Sequence, residues 1–189
     1  MRILSKRHSG LIVSVDMDET ILCSVPDSQK KKIDLDSVGK ISVFKNGEKF
    51  ISSVYVRPGA EAFLNNLKEL GSVCLFTLGV PSYVTQVMEV CGLSSLFDRI
   101  LTRADCEKNS LNLSEKDLSD WGVSRSSAVL IKDLRLLDED LSKIIACDDS
   151  PFLYPAPQRR RVIEVPRFQP WLLAEDKALL ETERQVAAF

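Results

Sequence analysis

One histidine in 189 residues, and no cysteine pair spaced C-x-x-C, remove several chemistries at once. His8 stands before the first apolar run, so neither a Ser-His-Asp arrangement nor a histidine-based zinc centre is expected. The five cysteines (Cys23, Cys74, Cys91, Cys106, Cys147) are scattered and odd in number, which fits reduced thiols in an intracellular protein, nuclear or cytoplasmic. None is followed six positions later by arginine, so a cysteine-nucleophile phosphatase signature is missing. No apolar run has the length a membrane span needs. Arg2, Lys6 and Arg7 give the start a faint transit-peptide character, but the first strand follows too soon for one. A net charge of -2, with no long basic segment, argues against a protein that lives on nucleic acid backbone. Lys30 to Lys32 and Arg159 to Arg161 are short basic runs, read as solvated surface, with nuclear localisation or docking of an acidic, phosphorylated partner as the sharper alternative.

What is present suits one well-buried core. With 44% hydrophobic and 28% charged residues, the chain is expected to form a single domain over residues 1–189. Leu11 to Val15 is an apolar run that stops at Asp16 and Asp18, two carboxylates spaced i, i+2. Such a run reads as a buried parallel strand, and the carboxyl ends of those strands are where open α/β sheets hold ligands. A divalent cation would relieve the repulsion between the two acids and polarise a phosphoryl oxygen. A second Asp-x-Asp, Asp34-Leu35-Asp36, follows the lysine run with no apolar strand behind it, and reads as a solvated loop.

Further along, Ile41 to Phe44 and Ile51 to Val56 flank Asn46-Gly47, a hairpin turn signal, so an antiparallel ribbon is inserted early. Phe63, Leu64, Leu67 and Leu70 recur at helical spacing between Pro58-Gly59 and Gly71. Ser72 to Phe76 predicts the next buried strand, leaving through Thr77, and Pro81 to Cys91 a helix opened by proline. Strands are also predicted at Ala128 to Ile131, ending at Lys132, at Lys143 to Cys147, ending at Asp148 and Asp149, and at Arg161 to Val165. Asp98 to Ser127 is the hardest stretch to read, with a short helix at Ser114 to Trp121, and Leu172 to Phe189 predicts a closing amphipathic helix. The fold class is α/β: a Rossmann-like parallel sheet with helices on both faces and an inserted hairpin.

Four strand ends would then deliver Asp16 and Asp18, Thr77, Lys132, and Asp148 with Asp149 to one edge. Carboxylates, a hydroxyl and an ammonium together suit a phosphoryl group. Singly, each has a plain alternative as a cap, a surface charge or a turn residue.

Asp16-Met17-Asp18-Glu19-Thr20, Phe76-Thr77, Lys132-Asp133-Leu134 and Asp148-Asp149-Ser150-Pro151, in that order, resemble the four motifs of haloacid dehalogenase superfamily phosphatases. With the early hairpin, Val56-Arg57-Pro58-Gly59 and Leu78-Gly79 with Tyr83, the chain resembles the RNA polymerase II C-terminal-domain phosphatase family over about residues 11 to 170. The resemblance implies a Mg²⁺-dependent protein serine/threonine phosphatase with an aspartyl-phosphate intermediate, its substrate the phosphorylated C-terminal domain of RNA polymerase II or another phosphoprotein; charge and the lack of a long apolar run speak against nucleic acid and membrane as partners. It implies Asp16 as nucleophile and Asp18 as acid and base. Asp16, the main-chain carbonyl of Asp18 and Asp149 would hold Mg²⁺, with Asp148 mostly behind them beside Lys132. Thr77 and Lys132 would bind phosphoryl oxygens, and Thr20 would support the turn. Tyr83 falls where small family members contact a substrate proline, whereas Pro26 stands where they carry an aromatic residue. An inactive binding module and a small-molecule phosphatase of the same superfamily are the alternative readings.

Overall fold

The computed structural model describes residues 10–29, 33–45, 47–172 and 176–189. His8, the basic residues of the amino-terminal segment, Lys30 to Lys32 and Asn46 lie outside them.

β1 (Ile12–Val15) is the centre of a five-stranded sheet. It pairs in parallel with β5 (Ser72–Phe76) on one side and β7 (Ile144–Asp148) on the other. β6 (Arg99–Leu101) lies outside β5 and β8 (Val162–Glu164) outside β7, giving the order β6-β5-β1-β7-β8, all parallel. Alternation of the pleat divides the strands' side chains between two cores. Val13, Val15, Val73, Leu75, Ile145 and Cys147 join the cluster that contains α1 (Ala60–Leu70) and α2 (Pro81–Cys91), with Leu179 and Val186 of α5 (Ala178–Ala187). Cys74, Phe76, Ile144 and Ala146 face the other way, against Cys106 of α3 (Arg103–Ser110) and Leu134. A strand covered on both faces reads as a continuous apolar run, which is why β1 and β7 were legible.

The inserted ribbon is a separate antiparallel sheet. β3 (Gly39–Lys45) and β4 (Glu48–Val56) form the hairpin, with Gly47 at φ 81°, and β2 (Leu22–Pro26) pairs with the other side of β4. Asp34 and Asp36 are exposed outside any strand, so the second Asp-x-Asp is indeed a loop.

Two predicted elements are corrected. Ala128 to Ile131 is no strand: Ala128–Leu130 is a 3-10 turn, closed by the Ile131 amide donating to Ala128 O. Ala128 and Ile131 instead pack on Leu118 and Trp121 of α4 (Glu115–Trp121), a helix capped by Ser114 as expected. Lys132 is therefore delivered by a loop, pinned by its amide donating to Leu153 O at 2.8 Å. The closing helix is shorter than Leu172 to Phe189, because Asp176 stays outside it to accept from the Ala178 amide and from Arg57; residues 173–175 are outside the described ones. β2, β6 and α3 have no counterpart in the sequence-based expectation. Among the described residues no helix is long and apolar enough to cross a membrane.

Candidate active site

Because β1, β5 and β7 run parallel, their carboxyl ends share one edge of the sheet. The Asp16 amide continues the ladder by donating to Cys147 O at 2.9 Å, and the Thr77 amide does so to Leu101 O at 3.0 Å. Just beyond β1 the chain must turn sharply. Glu19 takes a left-handed φ of 63°, unusual for a residue with a side chain, and is held by its amide on Leu22 O and by the Phe168 amide on its own carbonyl. That turn points Asp16 and Asp18 into the same space.

The space is a cavity of about 290 Å³ lined by Asp16, Asp18, Thr77, Lys132, Asp148 and Asp149, with Leu78, Gly79, Arg103 and Leu153 completing the wall. A larger hollow, about 740 Å³, opens where β1 and β5 begin and holds none of these residues. Lys132 is the hub: its Nζ donates to Asp16 Oδ1 and to Asp148 Oδ2, both at 2.6 Å, with only 1% of the side chain exposed. Asp148 is fully engaged, since Tyr154 donates its hydroxyl to the same Oδ2 at 2.8 Å and the Ser150 amide donates to Oδ1 at 2.8 Å. Thr20 is buried and its Oγ1 accepts from the Asp149 amide at 3.3 Å, joining the first strand's turn to the loop after β7.

Oxygens of Asp16, Asp148 and Asp149 lie within 4.8 Å of one another. Three hard oxygen donors at that spacing fit Mg²⁺ by chemistry. The charges lean the same way. Burial, with the Asp148 charge adding to it and Lys132 opposing it, raises the Asp16 carboxyl to about 7. Burial likewise raises Asp149. The two carboxylates beside Lys132 keep that amine charged despite its burial. One ammonium thus faces more negative charge than it neutralises.

Asp18, in the cavity wall but outside this trio, meets α2, where Tyr83 donates its hydroxyl to Oδ1. Burial lifts Asp18 to about 6, with the Tyr83 hydrogen bond and Lys132 opposing the rise. Thr77 is 1% exposed, lines the cavity, and its Oγ1 accepts from the Gly79 amide, so its hydroxyl hydrogen is not used in that bond. The candidate site residues Asp16, Asp18, Thr77, Lys132, Asp148 and Asp149 thus line one cavity, and Tyr83 joins it by way of Asp18. Tyr154, Ser24, Arg103 and Arg167 were missed. Arg103 follows β6, itself unrecognised, and Tyr154, Ser24 and Arg167 carry no signal apart from their partners.

A parallel sheet whose central strand ends in Asp-x-Asp, with a buried lysine and a second acidic pair beside it, is a haloacid dehalogenase-like fold. Comparison with known proteins narrows this. The family model described as NLI interacting factor-like phosphatase matches residues 11–187, and the chain belongs to that family. Phosphatase Herzog of Drosophila melanogaster is 28% identical over 153 residues, 80% of this chain and 36% of the relative. Fcp1, an essential RNA polymerase II CTD phosphatase, superposes with a TM-score of 0.62 at 20% identity, over 94% of this chain and 48% of the other. A fission yeast Fcp1 variant bound to beryllium fluoride gives 0.57 at 21% identity, covering 94% and 50%. The chain spans about a third of the curated relative's length and about half of these two structures.

Proposed function

We propose that this chain is a Mg²⁺-dependent protein serine/threonine phosphatase that works as a single catalytic domain through an aspartyl-phosphate intermediate. The observation that carries the reading is the juxtaposition of Asp16, Asp148 and Asp149 with Lys132 bridging two of them at 2.6 Å. Membership of a phosphatase family supports it.

Asp16 attacks phosphorus with one carboxylate oxygen, and the bond from phosphorus to the seryl or threonyl oxygen breaks. Asp18 gives its proton to that departing oxygen. It then takes a proton from the water that attacks the aspartyl phosphate, releasing inorganic phosphate and restoring Asp16. A buried carboxyl near 6 serves both directions close to neutral pH. Thr77 and Lys132 hold the equatorial phosphoryl oxygens. Asp16, Asp149 and the Asp18 carbonyl would hold Mg²⁺, which supplies charge neutralisation at the phosphoryl group, while Asp148 fixes Lys132. Tyr83 reaches the site through Asp18, to which it donates its hydroxyl, with Ser24 on the inserted sheet sharing that hydroxyl.

A phosphopeptide panel, including repeats of the RNA polymerase II C-terminal domain, and a generic aryl phosphate test the reading together. Turnover is expected with Mg²⁺ and lost on chelation with EDTA and in Asp16→Asn. Activity that survives either change overturns the mechanism. A metabolite hydrolysed with much higher kcat/KM than every phosphopeptide moves the substrate to a small molecule.

A further inference from the structure

We propose that Arg167 is a positioning residue for the cation ligand Asp149, fixing which carboxylate oxygen that residue presents to Mg²⁺. The inference rests on the reading of Asp149 as a ligand.

Arg167 lies just beyond β8, between Val165, whose amide donates to Asp148 O, and Phe168, whose amide donates to Glu19 O. Its backbone is therefore tied to both turns that form the acidic site. From there the guanidinium spreads over three groups. Nε pairs with Asp149 Oδ2 at 2.8 Å, Nη2 donates to Ser150 Oγ at 3.2 Å, and Nη1 approaches Glu19 Oε2 at 3.3 Å. Ser150 in turn donates its hydroxyl to the same Asp149 Oδ2 at 3.0 Å.

Asp149 Oδ2 thus accepts one hydrogen bond, from Ser150, and carries the ion pair with Arg167, which leaves Oδ1 to a cation. A ligand whose other atom is held in this way has its orientation set before the ion arrives, which is the usual work of groups behind a metal ligand. Arg167 also carries a positive charge near the site, and that charge opposes a cation. Orientation outweighs repulsion here for two reasons. Glu19 faces the guanidinium from the other side and offsets its charge. The Arg167 side chain is also 53% exposed, so solvent and salt screen it, whereas the Asp149 side chain it holds is only 7% exposed.

Calorimetric titration of the folded protein with Mg²⁺ alone tests this without any turnover. Arg167→Met is expected to weaken Mg²⁺ binding about 10-fold to 100-fold. Arg167→Lys keeps the charge but has no fork to span Asp149, Ser150 and Glu19, and is expected to recover only part of that loss. Asp149→Asn is run beside them. If Asp149→Asn binds Mg²⁺ as the wild type does, the ligand reading itself fails. If Asp149→Asn loses binding while Arg167→Met keeps or tightens it, the ligand reading stands and the role given to Arg167 is overturned.

Discussion

Tyr83, on α2, donates its hydroxyl to Oδ1 of Asp18, 65 positions earlier in the chain, and Ser24 on β2 shares that hydroxyl at 2.8 Å. Burial and the neighbouring Asp18 charge hold the phenol protonated far above its ordinary range, so Tyr83 acts as a standing donor. A hydrogen bond to a charged group contributes about 1.5–3 kcal/mol. Tyr83→Phe is therefore expected to lower kcat about 10-fold or more, at about tenfold per 1.4 kcal/mol. With an aryl phosphate, which has no peptide to reach past the cavity, KM should stay within about twofold. A rise in KM for phosphopeptides alone would place Tyr83 against substrate instead of Asp18. Steady-state kinetics on both substrates separates the two.

Lys132 is enclosed between Asp16 and Asp148, with the rings of Phe76 and Tyr154 centred 5.9 and 5.7 Å from its Nζ. Removing one partner of a buried ionic group leaves the others uncompensated, at a cost of about 3–5 kcal/mol. Lys132→Met should show that loss in denaturant unfolding at neutral pH, along with loss of turnover. In an Asp148→Asn background the same substitution should cost less, because one fewer charge is stranded. A double-mutant cycle measures the difference, and equal costs in both backgrounds would mean that Lys132 and Asp148 are not coupled.

The strands that carry Asp16, Thr77 and Asp148 were legible because each is buried on both faces, and a short apolar run cut off by a polar residue is what a covered strand leaves in sequence. The same rule misread Ala128 to Ile131. Its apolar residues are real core, but they fill a small cluster with Leu118 and Trp121, and periodicity over four residues does not distinguish a 3-10 turn from a strand. β6 has only three residues, two of them exposed, so no pattern could mark it, and Arg103 went unseen with it. The cavity's main residues were recoverable because their chemistry is shared with a family. The contacts that hold them, Tyr154 on Asp148 and Arg167 on Asp149, are made across loops and leave no trace in local sequence.

Gly71 joins α1 to β5 where the chain grazes the start of β1. Its φ of -178° is extended and open to any residue, so the demand for glycine is spatial. A Cβ there would lie 2.3 Å from the Leu11 carbonyl oxygen, the same oxygen that accepts from the Ser72 amide at 2.9 Å. Backbone cannot move aside as a flexible side chain does, and overpacking costs about 1–3 kcal/mol. Gly71→Ala should reduce the unfolding free energy by that amount, seen as a lower denaturant midpoint with the slope unchanged, whereas an unchanged midpoint would show that the junction yields.

Arg57 is 2% exposed and forms a fork with Asp176, Nε to Oδ2 at 2.7 Å and Nη2 to Oδ1 at 2.9 Å, while Nη1 donates to Thr20 O at 2.9 Å. One guanidinium thereby ties the segment before α5 to the turn that follows Asp16 and Asp18. Burial alone would raise Asp176, but the Arg57 donors and the Ala178 amide outweigh it and hold the carboxyl below the ordinary range. A carboxyl lowered by folding contributes its stability fully above the unfolded value of about 3.9 and loses it as pH falls through the folded value. Asp176→Asn leaves the buried Arg57 charge without its counter-ion, at a cost of about 3 kcal/mol near neutral pH. The wild type forfeits the same interaction in acid. The stability gap between the two proteins, read from urea unfolding, should therefore be widest at about pH 6 to 7 and close toward about pH 2, and a gap independent of pH would remove the ion pair as its cause.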